Sequence, residues 1–146
     1  MKNIFMEQAI LEAKKAAQMG EVPVGAVVVR NGEVISRGHN LCESRKDATL
    51  HAETVALRGA FEALGGWRLS DCDIYVTLEP CMMCSGALLN SRIRRIYFGA
   101  YDMKNGACGS VCDVGNMGFT HKPEIYGGIY QDECSELLSE FFSEKR

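Results

Sequence analysis

The stretch Ile74-Tyr75-Val76-Thr77-Leu78-Glu79-Pro80-Cys81-Met82-Met83-Cys84-Ser85-Gly86-Ala87-Leu88-Leu89 reads as a buried strand running directly into a helix. Ile74 to Leu78 is rich in β-branched and aromatic side chains, which suit a pleated sheet. Pro80 suits the first turn of a helix, where its missing N–H costs nothing, and small and apolar residues carry the helix from Cys81 to Leu89. A second strand follows at Arg95 to Gly99.

Outward from this unit, upstream residues Ala48 to Leu64 show helical spacing, with Ala52, Val55, Ala56, Ala60 and Ala63 inward and Gly65-Gly66 as the stop. Before them, Gly25 to Val29 and Glu33 to Arg37 flank Asn31-Gly32, two residues that tolerate positive φ, so a hairpin is predicted. Phe5 to Met19 forms a first helix stopped by Gly20. Downstream, Tyr101 to Pro123 is glycine-rich and irregular, and a stretch this long reads as a functional loop. Glu124 to Tyr130 is expected as an edge strand. Asp132 to Phe142 is expected as a last helix with Leu137, Leu138, Phe141 and Phe142 on its apolar face. The order α-β-β-α-β-α-β-(β)-α predicts an α/β fold, a central sheet with helices on both sides. A chain of 146 residues fits one domain over residues 1–146.

Composition narrows the function classes. Hydrophobic residues make up 47% and charged residues 24%, a globular balance that excludes a disordered chain. The start, Met1 to Gln8, lacks the apolar core of a signal peptide, and no apolar run reaches membrane-spanning length, so no membrane partner and a cytoplasmic location are expected. Seven cysteines, an odd number, read as thiols and metal ligands in such a compartment. A net charge of −3 argues against holding nucleic acid by overall positive charge. The local basic clusters Ser91-Arg92-Ile93-Arg94-Arg95 and Glu144-Lys145-Arg146 remain, each equally readable as solvated surface.

Two segments carry chemistry: Thr49-Leu50-His51-Ala52-Glu53 and Glu79-Pro80-Cys81-Met82-Met83-Cys84. In a sheet whose successive strands lie side by side, helix starts after adjacent strands converge at one edge, which would bring His51 to the thiols. Cys81 and Cys84 are three apart and face the same way on a helix, where the positive end of its dipole favours thiolates. His51, Cys81 and Cys84 would hold one Zn²⁺ per chain and leave its fourth tetrahedral position open to water, the pattern of a catalytic site. Zinc lowers the pKa of such a water from about 16 towards ~7. Glu53, two residues from His51, is then free to move protons as the catalytic base. A lone Cys-x-x-Cys would read as redox-active or structural, but His-x-Glu thirty residues upstream makes the set specific. Cys108 and Cys112 have no third ligand beside them and read as loop thiols, and Cys42, Cys72 and Cys134 as packing residues.

His51-Ala52-Glu53 with Pro80-Cys81-Met82-Met83-Cys84 matches the signature of zinc base deaminases. With Glu21 to Val29, Gly38-His39-Asn40, Tyr75 to Cys81, Ser91-Arg92-Ile93 and Phe98-Gly99-Ala100, the chain resembles the bacterial tRNA-specific adenosine deaminases over nearly its whole length. The resemblance implies a three-layer α/β/α cytidine-deaminase-like fold with a mixed sheet of about five strands. It also implies hydrolytic conversion of adenosine to inosine at the wobble position of a tRNA anticodon stem-loop, and a homodimer whose partner shapes the RNA site. By the same resemblance Asn40 faces the flipped nucleoside, Val22 and Pro23 line the base pocket, and Asp102, Lys104, His121 and Phe142 lie near the RNA. Five of them have a plain alternative: Asn40 as a turn residue, Val22 and Pro23 as the start of a strand, His121 as a loop histidine, Phe142 as core. The chain departs from the family's pattern in Asp47-Ala48-Thr49-Leu50 before His51, in Thr120 before His121, and in ending at Arg146 where the family often carries a basic tail. The competing readings are a deaminase of free guanine, cytosine or adenosine, and a catalytically silent RNA-binding subunit.

Overall fold

A computed structural model describes residues 2–145, so Met1 and Arg146, the latter in the terminal basic pair, lie outside the described residues. The elements are α1 (Ile4–Gln18), β1 (Gly25–Arg30), β2 (Glu33–His39), α2 (Cys42–Arg45), α3 (Ala52–Leu64), β3 (Cys72–Leu78), α4 (Met82–Asn90), β4 (Arg95–Ala100), β5 (Glu124–Tyr126) and α5 (Gln131–Glu144). A short 3₁₀ turn occupies Val114–Asn116.

The sheet has five strands in the order β2-β1-β3-β4-β5. β1 pairs antiparallel with both β2 and β3, while β3–β4 and β4–β5 are parallel, so the sheet is mixed as expected. The β1–β2 turn places Asn31 at φ 52° and Gly32 at φ 76°, the left-handed pair that a two-residue hairpin needs.

Alternation along the strands supplies two cores. Ala26, Val28, Ile74, Val76, Ile96 and Phe98 face α3 and α4, where Ala52, Ala56, Leu57, Ala60 and Leu88 are buried. Val27, Val29, Tyr75 and Ala100 face Met6, Ala9 and Ile10 of α1 and Cys134 of α5. Each fully buried large aliphatic or aromatic side chain contributes roughly 1.5–3 kcal/mol, so the sheet is clamped from both sides.

The strand directions place the site. β2 and β3 are not adjacent as expected; β1 lies between them, antiparallel to both. The C-terminal ends of β2, β3 and β4 therefore share one edge with the N-terminal end of β1. Segments leaving or entering the sheet there include Val22–Val24, Asn40, Glu79–Cys81 and Tyr101–Asp102. Helix α3 is drawn onto this edge by Gly38, where a Cβ would stand 2.6 Å from both Ala52 O and Ala56 N.

Three boundaries differ from expectation. α3 begins at Ala52 rather than Ala48, because the Asp47 carboxylate takes the Thr49 N–H and hydroxyl in a turn, competing with helix. Cys81 is the N-cap of α4 and Pro80 precedes it, so proline stands outside the first turn. β5 stops at Tyr126, because Gly127 packs against Phe98, where a Cβ would stand 2.4 Å from the ring, and Gly128 turns at φ 83°.

Candidate metal centre and active site

His51 and Cys81 are both N-cap residues with extended backbone, and neither side chain caps its own helix. The backbone geometry that starts each helix thus frees the side chain to point across the gap. Cys84 sits in the first turn of α4 and is fully buried. His51 Nδ1 lies 3.6 Å from Cys81 Sγ and 3.5 Å from Cys84 Sγ. A tetrahedral zinc with Zn–S near 2.3 Å and Zn–N near 2.0–2.1 Å requires an N···S edge of about 3.6 Å. Among the described residues this trio is the group of three His, Cys, Asp or Glu side chains whose ligand atoms all converge, within 4.8 Å of one another. One imidazole nitrogen and two sulfurs at that spacing fit Zn²⁺ by both donor softness and shape.

The electrostatics agree. The Cys81 thiol is held down at about 4, first by the hydrogen bond from Cys84 and, against the opposing effect of burial, by His51. The same contact, with burial and the nearby Glu53, pushes Cys84 up. His51 is raised, chiefly by its hydrogen bond with Cys81. Protons are being shared among three groups that each bind a cation better when deprotonated.

Glu53, one residue into α3 beyond its first position, is 4% exposed, and burial raises its carboxyl to about 7. A carboxyl titrating near neutrality can both take and return a proton, which a solvated glutamate does poorly. It is not one of the converging ligand atoms.

A cavity of about 510 Å³ borders the trio, in the range that encloses a small-molecule or nucleoside-sized group. His51, Glu53 and Cys81 line it together with Val22, Val24, Asn40 and Asp102. Pro23 is buried at the centre of a tight turn, in which the Val24 N–H donates to Val22 O at 2.8 Å, and Val22 and Val24 rather than Pro23 line the cavity. Asn40 lines the cavity, and its Oδ1 accepts the Ala52 N–H at 2.8 Å, one of the orphan donors at the start of α3. That bond orients the amide, leaving Nδ2 as a donor beside the cavity. Asp102 also lines the cavity, with its Oδ1 accepting the Lys104 and Asn105 N–H groups at 3.1 Å each.

Lys104 is exposed outside the cavity lining. His121 lies elsewhere, its Nε2 donating to Ile93 O at 2.6 Å beside a separate cavity of about 360 Å³. Phe142 is 51% exposed on α5 and stacks edge-on to Phe141, so it is not core. Cys108 is buried with its thiol pushed up to about 12, first by burial, and contacts Ser85 rather than a metal cluster. No disulfide forms among the described residues.

Sequence reasoning missed two buried carboxylates in the cavity walls. Glu21 accepts from Glu43 N, Ser44 N and the Ser44 hydroxyl, fixing α2. Glu79 accepts from Asp102 N, Cys108 N, Ser110 N and the Ser110 hydroxyl. Neither has a local signal, since their partners lie more than twenty residues away. The nearest clue was Gly106 within an irregular loop: a Cβ there would stand 2.3 Å from the Glu79 carboxyl carbon.

Residues 1–100 match the cytidine and deoxycytidylate deaminase zinc-binding region. Over 144 residues the chain is 46% identical to a tRNA-specific adenosine deaminase of Bacillus subtilis (strain 168), covering 98% of this chain and 89% of the relative. It is 48% identical over 143 residues to the enzyme of that name from Agrobacterium fabrum, covering 97% and 94%. A structure from studies of A-to-I editing by tRNA:A34 deaminases at the wobble position of transfer RNA superimposes with a TM-score of 0.90 at 45% identity, covering 94% of this chain and all of that one. The fold and the His/Cys/Cys centre define a zinc-binding deaminase of the cytidine deaminase type. Within that class the chain belongs to the tRNA-specific adenosine deaminase family.

Proposed function

We propose that the protein hydrolyses adenosine to inosine, with release of ammonia, at the wobble position of a tRNA anticodon. His51, Cys81 and Cys84 would hold one Zn²⁺ per chain. The observation that carries the reading is the tetrahedral spacing of those three donors beside the buried Glu53, in a chain nearly half identical to tRNA-specific adenosine deaminases. The bound zinc would supply Lewis acidity, bringing the pKa of the attacking water towards ~7.

The chain's own residues do the rest. Glu53 takes one proton from the attacking water and places it on purine N1 as the C6–O bond forms. It then passes the second proton to the exocyclic amine as the C6–N bond breaks, so ammonia leaves and the purine becomes 6-oxo. Burial holds Glu53 near the proton affinity this shuttle needs. Asn40, anchored through Oδ1, offers Nδ2 to the nucleoside, and Val22 with Val24 packs the base. Lys104 and the loop beyond Asp102 meet the flanking RNA, with His121 and Phe142 further from the target base. An anticodon loop suits this site because its bases can be splayed out without opening a duplex.

Residues 1–146 act as one cytoplasmic domain, and a second copy completes the RNA site as a homodimer. Exposed Met82, Met103, Val111, Met117 and Phe119 on α4 and the loop after β4 supply apolar surface for that partner. Among the described residues no helix is long and apolar enough to cross a membrane.

The test is to incubate zinc-loaded protein with an anticodon stem-loop carrying wobble adenosine, alongside free adenosine, cytidine and guanine, and to quantify products by mass spectrometry. Inosine confined to the RNA is expected. Product from a free base or nucleoside alone would overturn the substrate, and no product from any would favour the silent-subunit reading.

A further inference from the structure

The loop from Asp102 to Ser110 forms one wall of the active-site cavity, contributing Asp102 and Asn105, yet it contains no helix or strand. A wall of irregular backbone holds its shape only if its N–H groups find partners. Here three of them, from Asp102, Cys108 and Ser110, converge on a single side chain. Glu79 Oε1 accepts the Asp102 N–H at 3.0 Å and the Ser110 hydroxyl, and Oε2 accepts the Cys108 and Ser110 N–H groups at 3.0 Å each. The loop also docks beside the metal ligands, through Ala107 N to Pro80 O at 2.9 Å and an isolated bridge between Gly106 and Cys81. Gly106 lets the backbone close over the carboxylate. Glu79 is 2% exposed and outside the converging metal donors, so neither solvation nor ligation accounts for burying its charge; the four donors do.

We infer that Glu79 is a positioning residue for substrate binding, setting the loop wall of residues 102–110 so that it meets the nucleotide entering the cavity. The inference rests on the deaminase reading, but it concerns affinity rather than the chemical step. Glu53 and Cys84 lie in α3 and α4, whose N-caps are His51 and Cys81; the Glu79 carboxylate bonds to neither helix, and the loop meets Cys81 through the backbone bridge at Gly106. Loosening the wall should therefore weaken capture of substrate while leaving the reacting groups in place.

Glu79→Gln is the informative substitution. Glutamine keeps the shape but sets an NH₂ against either the Asp102 N–H or the Cys108 and Ser110 N–H pair. The Ser110 hydroxyl can reverse to accept; a backbone N–H cannot. The measurements on the zinc-loaded protein are zinc content, amide hydrogen exchange over residues 102–110, and kcat and KM on the anticodon stem-loop. Expected are wild-type zinc, exchange faster by about tenfold in the loop, and KM raised about tenfold with kcat changed less than about threefold. Ser110→Ala, which removes one donor and no charge, should move exchange and KM the same way by a smaller factor, and it decides the matter if Glu79→Gln does not fold.

Unchanged exchange, a loosened loop with wild-type KM, or a fall in kcat at constant KM would each overturn the inference. Wild-type protein that turned over a free base and not the stem-loop would instead overturn the RNA reading. The KM of the variants for that base would then decide the role of Glu79 by the same criterion.

Discussion

At the scale of single residues, the three metal donors and the buried carboxylate divide the labour. Glu53 is buried beside the trio but does not converge with its donor atoms, so it should be dispensable for metal and indispensable for turnover. Glu53→Ala is expected to retain about one zinc per chain by elemental analysis while losing roughly 10²–10⁴-fold in rate; zinc loss would make it a ligand. Cys84→Ala should behave oppositely, because it removes a donor that is fully buried and 3.5 Å from His51 Nδ1. Zinc content should fall, and the thermal midpoint with it by about 5–10 °C, since a ligand bound only by the native state stabilises it in proportion to its affinity. An unaltered midpoint with full zinc would remove the site.

At the scale of elements, the metal centre depends on where α3 starts, and Gly38 sets that. Gly38→Ala would push a methyl against Ala52 O and Ala56 N, lifting the first turn that carries His51 and Glu53. A loss of about 1–3 kcal/mol in chemical denaturation, with reduced activity, is expected. The contact between α1 and β2 is pH-dependent instead. Glu12 is buried, which alone would raise its carboxyl, but Lys15 at 2.8 Å and His39 at 2.9 Å outweigh burial and hold it below its ordinary value of 4.5. A carboxylate depressed in the folded state stabilises it above the unfolded pKa and loses that contribution as pH falls through the folded one. Wild type should thus exceed Glu12→Gln in thermal midpoint at pH 6, and the gap should shrink as pH drops below 4.5.

The same elements show what could be read in advance. Periodicity found the hairpin, both outer helices and the β3–α4 unit, because each is specified by neighbours in sequence. It extended α3 back to Ala48 because the Asp47 turn uses side-chain hydrogen bonds that no hydrophobic pattern records. It missed α2 for a related reason: four residues with no buried side chain leave no apolar stripe, and the helix is fixed by distant Glu21. The trio was legible because metal ligands repeat at short spacings near helix starts. The walls were not, because Glu21 and Glu79 act across the fold. The resemblance puts Pro23 in the pocket, whereas a tight turn centred on it, closed by Val24 N–H to Val22 O, leaves Val22 and Val24 lining the cavity, and no hydrophobic pattern records such a turn.

At the scale of the whole molecule, charge limits how an anticodon can be held. A net charge of −3 offers no general attraction to a polyanion, so affinity for RNA must come from a few local cations and from shape around the target base. Counterion release makes this measurable: the logarithm of affinity falls with the logarithm of salt by about 0.7 per phosphate contacted on a single strand. Lys104 is exposed on the loop whose neighbours Asp102 and Asn105 line the cavity, and no carboxylate pairs with it among the described residues. Binding of an anticodon stem-loop, followed by fluorescence anisotropy across a salt series, should therefore show a shallow slope, corresponding to roughly three to five contacts per site. Lys104→Ala should reduce that slope by about 0.7 and weaken binding at low salt while converging with wild type at high salt. An unchanged slope would move Lys104 off the phosphates, and the RNA path with it to another face of the cavity.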